Sequence, residues 1–276
     1  MTGQAGTSSA TTYTHGYHEA VLRSYRARTV TDSAAYLLPR LRPGLSLLDV
    51  GCGPGTITVD LAQRVRPGAV TAVEVTAAAL DPARTEAAAH GVDDIEFVVA
   101  DAHGLPFDDD AFDVVHAHQV LQHVADPVQA LREMQRVCRP GGVVAARDAD
   151  YAAFTWYPAS SALDDWLALY RAVACGNGGE PDAGRRLLAW AHAAGAEHVS
   201  ASASTWVFAT PERRTWWGGM WAERMLHSDI ATQLLRDGHA DQARLEAIAD
   251  GWLNWAADPD GCLTLVHGEV LLDVGP

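Results

Sequence analysis

The chain has 276 residues, 48% of them hydrophobic and 20% charged, an ordinary globular balance that excludes a disordered or fibrous protein. A formal net charge of −15 argues against wrapping nucleic acid or lying on anionic lipid. No apolar run approaches the ~20 residues that span a bilayer, and the four cysteines (Cys52, Cys138, Cys175, Cys262) form no CxxC pair, which suits reduced thiols in a cytoplasm.

In chain order, MTGQAGTSSATT opens as a small, polar tail without the marks of a secretion signal. Residues 18–41 read as helical, with Val21, Leu22, Tyr25, Ala34, Ala35, Leu37 and Leu38 apolar, and Pro43-Gly44 breaks them off. SLLDV (46–50) reads as a short strand, and 56–65 as a helix with Ile57, Leu61 and Val65 on one face. AVTAVEV (69–75) is the next strand, followed by an alanine-rich helix over about 79–90 that stops at Gly91. IEFVVA (95–100) and DVVHAH (113–118) are the third and fourth strands. Asp126-Pro127 has the form of an N-cap with proline in the first turn, opening a helix that Arg139-Pro140-Gly141-Gly142 ends. VVAAR (143–147) is the fifth strand. Beyond it, 161–194 read as two helices around CGNGGEPDAG, 198–210 as a long alternating strand, 216–255 as helical and tryptophan-rich, and 263–274 as a closing strand.

Strand and helix alternate from 45 to 148, which specifies a doubly wound α/β sheet, because parallel strands need long crossovers. Helical additions after the fifth strand are expected to cap its C-terminal edge, at about 150–195 and 211–257 within a domain running from 45 to 276.

Ligands of such sheets bind outside the carboxyl ends of the strands. LLDVGCGPGT (47–56) sits there, and its Gly51, Gly53 and Gly55 call for close approach by a ligand. A dinucleotide fingerprint would carry its third glycine where Thr56 stands, and no Gly-Lys-Ser/Thr follows to make a phosphate loop. The second strand ends in Glu74, 19 residues beyond Gly55, where a carboxylate can accept from both ribose hydroxyls. The third ends in Asp101-Ala102, a carboxylate and a backbone N–H able to meet the adenine amine and a ring nitrogen. The fourth ends in His118-Gln119. Together these suit an adenosine without phosphate. Each feature also has a plainer reading: Asp49 as a helix cap, Glu74 as a surface acid, Asp101 as a turn-former. His116 and His118 share a strand face, but no further ligands stand at metal spacing, so no metal is expected.

LLDVGCGPGT, VTAVEVT, VVADAHGLPF, FDVVHAHQVLQHV and RPGG, in that order across roughly 45–147, resemble the class I S-adenosylmethionine-dependent methyltransferases, on the side of the menaquinone and ubiquinone enzymes. The resemblance implies a Rossmann-like seven-stranded sheet of order 3-2-1-4-5-7-6 with strand 7 antiparallel. It implies that Gly51 and Gly53 admit the methionine portion of the cofactor, with Asp49 in support, and that Glu74 with Val75 binds the ribose. Asp101 and Ala102 would read adenine, Gln119 would lie near the methionine or sulfonium, and His123 fits a position where relatives carry histidine. Residues 1–44 would be a tail and lid offering Tyr17, His18, Tyr25 and Arg28, with Arg28 on the cofactor carboxylate.

Methyl transfer chiefly needs the nucleophile held about 3 Å from an activated carbon, so a general base is required only where a proton must leave. Candidates are Asp150 and Tyr151, expected to face the same cleft, the lid residues Tyr17, His18 and Tyr25, and more weakly Glu223, Arg224 and His227. Trp216, Trp217 and Trp221 fall at helical spacing, which suits cap packing, with an aromatic pocket wall as the alternative. The acceptor is expected to be a small, aromatic or indole-like metabolite, methylated at carbon or nitrogen and tailored in secondary metabolism; oxygen methylation, a quinone precursor and a homo-oligomer stay open. An NAD(P)-dependent oxidoreductase is the competing class, and it lacks both the third glycine and a Tyr-x-x-x-Lys. A cofactor-binding protein without activity is the non-enzymatic one.

Overall fold

The computed structural model describes residues 25–275; Tyr17 and His18 lie outside them. The sheet is built from β1 (Leu47–Val50), β2 (Val70–Glu74), β3 (Ile95–Val99), β4 (Phe112–His118) and β5 (Cys138–Ala149), all mutually parallel, then β6 (Thr155–Tyr157), β7 (His198–Phe208) and β8 (Cys262–Asp273). The order is β3-β2-β1-β4-β5-β8, with β7 on the far edge of β8. β8 runs antiparallel to β5 on one side and to β7 on the other. The expected order therefore holds, with the last two long strands numbered one higher because β6 intervenes. That strand of three residues pairs with Cys262–Thr264, continuing along the edge of β8 that β5 leaves at Ala149.

The helices are α1 (Val30–Ser33), α2 (Thr56–Val65), α3 (Ala77–Ala89), α4 (Pro127–Val137), α5 (Ser161–Gly176), α6 (Leu187–Ala193), α7 (Pro211–His227), α8 (Asp229–Arg236) and α9 (Gln242–Ala257). One face of the sheet, with Leu47, Val114, Val143 and Ala145, packs against α2 and α3 through Leu61, Leu80 and Ala83. The other, with Leu48, Val115, Val144 and Val270, packs against α4 and α6 through Leu131, Met134, Leu187 and Ala191. The side-chain period of two puts successive residues of each strand on opposite faces, so near-continuous apolar runs serve both layers. A third core, rich in tryptophan, joins α5, α7, α8 and α9 to Ala149, Phe208 and Leu263, which lie at the C-terminal end of β5 and its neighbours.

Three elements differ from the sequence reading. The helix expected over 18–41 is broken in its described part: Thr29 caps α1 in a reciprocal box with Asp32, and a 3-10 turn, Leu38–Arg40, follows with Pro39 in it. A strong cap inside an apolar stretch restarts the helix, and periodicity alone does not register that. The fifth strand begins at Cys138, directly after α4, rather than at Val143. The helical stretch over 216–255 is three helices, because Ser228 ends α7 in extended conformation and Gly238 turns the chain at φ 70° after α8.

Candidate active site

At the carboxyl ends of β1, β2, β3 and β4 lies a cavity of about 430 Å³. Its floor is the glycine loop. Gly51 takes φ 67°, and a Cβ there would meet Val120 Cγ2 at 2.5 Å, whereas above Gly53 no atom lies within 4 Å of such a position. The loop is hung from β2: the N–H groups of Gly51 and Cys52 donate to Val73 O at 2.9 and 3.1 Å. Gly55, left-handed at φ 86°, opens α2.

Asp49 is buried beneath this loop. Its Oδ2 accepts from the Thr58 hydroxyl at 2.6 Å, and its Oδ1 lies 2.7 Å from His116 Nδ1. The carboxylate ties β1 to β4 and α2. It accepts from a side chain of the helix, not from its backbone, so it is no helix cap.

Glu74 closes one side. Its Oε1 accepts from Gly53 N–H at 2.9 Å and its Oε2 from Val75 N–H at 3.2 Å. Burial lifts its carboxyl above the ordinary range, against those two hydrogen bonds, with Asp49 adding to the rise. A half-buried carboxylate with two backbone donors still has acceptor capacity for a pair of hydroxyls. Asp101 begins a tight turn, accepting from His103 N–H at 2.9 Å and lying 2.6 Å from His103 Nδ1. His103 Nε2 in turn accepts from Asp126 N–H at 3.1 Å, which fixes the proton on Nδ1. Partial burial works against the charge of Asp101, but the bonds from His103 outweigh it and hold its carboxyl below the usual range. Ala102 is buried next to it.

Gln119 stands at the other side, in a left-handed conformation at φ 55° that non-glycine residues seldom adopt. Its N–H donates to Arg147 O at 2.7 Å, which anchors the strained residue to β5. Its Oε1 accepts from Arg28 Nη2 at 2.9 Å, and its Nε2 is 3.0 Å from His267 Nε2. Arg28 also lies over the Tyr25 ring, 4.2 Å from its centroid. Burial and the charge of Arg28 lower His123 to about 3, so this ring is neutral at any physiological pH.

The cavity thus gathers Asp49, Gly51, Gly53, Glu74, Val75, Asp101, Ala102, Gln119, Tyr25, Arg28 and His123. It does not gather Asp150 and Tyr151, expected in the same cleft. Both oxygens of Asp150 accept from Arg185 Nε, at 3.0 and 2.8 Å. Tyr151 is stacked on Tyr170, with centroids 4.1 Å apart, inside the aromatic core, and burial pushes its hydroxyl up to about 12. The tryptophans follow the packing alternative: Trp217 and Trp221 are buried among Trp166 and Trp252, and Trp216 lies 37% exposed. Sequence reasoning missed Arg147 and His267, which adjoin Gln119. Their signal was a polar residue at alternate positions of strands otherwise apolar, in VVAAR and LTLVHGEVLLDV. Among the described residues no group of three His, Cys, Asp or Glu is placed to hold a metal ion, and no helix is long and apolar enough to cross a membrane.

The donor set fits an adenosine linked to an amino acid. Two carboxylates, Glu74 and Asp101, line the cavity, and the open side of Gly53 leaves room beside them for a thin chain. Residues 41–205 match the model of a methyltransferase domain family. An uncharacterised methyltransferase of Schizosaccharomyces pombe is 36% identical over 94% of this chain and 95% of its own length. The 27-O-demethylrifamycin SV methyltransferase of Amycolatopsis mediterranei is 38% identical, over 49% of this chain and half of its own. Among solved structures, phosphoethanolamine N-methyltransferase 2 of Haemonchus contortus, in complex with phosphomonomethylethanolamine and S-adenosylhomocysteine, shares the fold. Its TM-score is 0.52 at 19% identity, covering 88% of this chain and 52% of that one.

Proposed function

From the premise that this chain belongs to the class I S-adenosylmethionine-dependent methyltransferases, we propose that it methylates a small, aromatic or indole-like metabolite at carbon or nitrogen. The observation that carries the cofactor's placement is Glu74, a half-buried carboxylate that lines the cavity, is held by the glycine loop and has acceptor capacity left. Glu74 holds the ribose and Asp101 with Ala102 the adenine. Gly53 leaves the path of the methionine chain open, and Arg28 and Gln119 meet its polar end. When bound, the cofactor supplies a methyl group on positively charged sulfur.

The chain's own work is positional. Asp49, fixed by Thr58 and His116, holds the loop from below. Gln119, held in its strained conformation by Arg147, Arg28 and His267, sets the inner wall. Tyr25 and the neutral His123 line the cavity, where they orient the acceptor. Asp150, locked by Arg185, and Tyr151, packed in the cap, receive no role. Tailoring of a natural product is supported by the likeness to the rifamycin enzyme, and a quinone precursor is the second reading, resting on the motif resemblance. Incubation with methyl-labelled cofactor and a panel of indoles, phenols and quinone precursors tests the reading. Label transfer to an indole supports it, and transfer to quinone precursors alone replaces it with the second.

A further inference from the structure

One face of the sheet turns polar where apolar side chains would be expected. The register sets His118, Arg147, Glu269 and Ser202 side by side across β4, β5, β8 and β7, with His267 and Ser204 paired two residues along. Arg147 is fully buried. Its Nε–H is engaged, donating to Ser204 Oγ at 3.1 Å and to Glu269 Oε1 at 3.3 Å. Glu269 is also met by the hydroxyls of Ser202 and Ser204, at 2.7 and 2.5 Å. Among the described residues, Nη1 and Nη2 of Arg147, with four N–H donors, have no hydrogen-bond partner, and neither do the two ring nitrogens of His118 or the Tyr36 hydroxyl.

Buried polar groups are normally satisfied, and a guanidinium with its forked edge unmet asks for an occupant. The indole of Trp206 lies on that guanidinium, its centroid 5.1 Å from Cζ, and fixes its plane. The surroundings are positive: burial, then Arg147 and Arg28, hold His118 and His267 well below the usual histidine range, so both rings are neutral. The only carboxylate in the row, Glu269, is already paired. His118 lines the cavity and is the register neighbour of Arg147, so the guanidinium lies one strand beyond the cavity wall on the β4–β5 side, away from Glu74.

We propose that the terminal nitrogens of Arg147 bind a carboxylate of the methyl acceptor, which makes the acceptor a small carboxylic acid; the inference rests on the methyltransferase reading of the cavity. A planar carboxylate matches the guanidinium edge with two parallel hydrogen bonds, and His118 must give way for it to enter from the cavity.

The test is calorimetry on protein loaded with S-adenosylhomocysteine, titrated with benzoate and with benzamide, its neutral isostere. Benzoate should bind about tenfold or more tightly than benzamide. In Arg147→Gln/Glu269→Gln, which removes both charges together and strands neither, that preference should fall to about twofold or less. Equal binding of the two, or none, would overturn the proposal and leave the guanidinium to buried water. The cofactor's own carboxylate is the other source of the same chemistry. The affinity ratio of S-adenosylhomocysteine to 5′-methylthioadenosine should therefore be alike in wild type and double variant; its collapse in the variant would overturn the proposal. Should the double variant not fold, Glu269→Gln alone keeps the terminal nitrogens and must keep the benzoate preference, and losing it counts against the site. Failure of S-adenosylhomocysteine to bind the wild type would instead remove the methyltransferase reading, and this inference with it.

Discussion

Glu74 gives the sharpest test of the cofactor site. Each of its oxygens already accepts one backbone N–H, from Gly53 at 2.9 Å and Val75 at 3.2 Å, and each has one further acceptor position to offer. If both ribose hydroxyls use them, Glu74→Ala removes two hydrogen bonds to a charged acceptor, each about 1.5–3 kcal/mol. The dissociation constant of S-adenosylhomocysteine should then rise about 10²- to 10⁴-fold, and about ten- to a hundredfold for Glu74→Gln, which keeps one acceptor oxygen. The pH dependence follows from the same carboxyl. Burial raises its pKa above the ordinary 4.5, so the acceptor protonates earlier on acidification than an exposed glutamate. Affinity should decline as pH falls through that raised value, whereas Glu74→Gln should show no such decline. Calorimetry across pH on the folded variants measures both. A Glu74→Ala dissociation constant within about threefold of wild type would refute the assignment of Glu74 to the ribose.

Asp148 predicts a second pH effect, on stability. Burial raises its carboxyl to about 7, against the N–H of Gln122, which donates to Oδ1 at 3.1 Å. The folded state therefore holds a proton that the unfolded chain releases near 3.8, and stability is lost as pH rises between those values. The gap corresponds to on the order of 4 kcal/mol, so Asp148→Asn should melt higher than wild type at pH 8.5, and by less than half as much at pH 5. In Gly55→Ala the new methyl would lie 2.8 Å from Ala83 Cα, at a φ of 86°, forcing α2 from α3. Denaturant titration should show a loss of about 2–4 kcal/mol. Trp252→Ala opens a cavity among Trp166, Trp221 and Trp255 and should cost about 3–5 kcal/mol. Its S-adenosylhomocysteine affinity should stay at the wild-type value where the protein is folded, because Trp252 belongs to the cap core and not to the cavity.

Periodicity and punctuation in the sequence determined most of the sheet. α2 begins and ends where Thr56 and Val65 predict, and β1 to β4 lie within a residue or so of their apolar runs. Local spacing was also enough to bring Gly51, Gly53, Glu74, Asp101 and Gln119 together. In a parallel sheet every strand ends at the same edge, so residues one step past successive strands become neighbours whatever lies between. The cap was legible as helix and as tryptophan. That its rings would turn inward upon one another rather than face a substrate is a matter of which helix face meets which, and no single helix carries that information.

Tertiary structure alone decided the rest. Asp150 follows β5 directly and by position belonged in the cleft, yet the chain returning through Arg185 captured its carboxylate. Arg147 and His267 are 120 residues apart in sequence and meet near Gln119 because β8 inserts antiparallel beside β5. Antiparallel insertion of the final strand sets a register that depends on both partners at once. Charge pairing across it, between Arg147 and Glu269, exists only after the strand is placed.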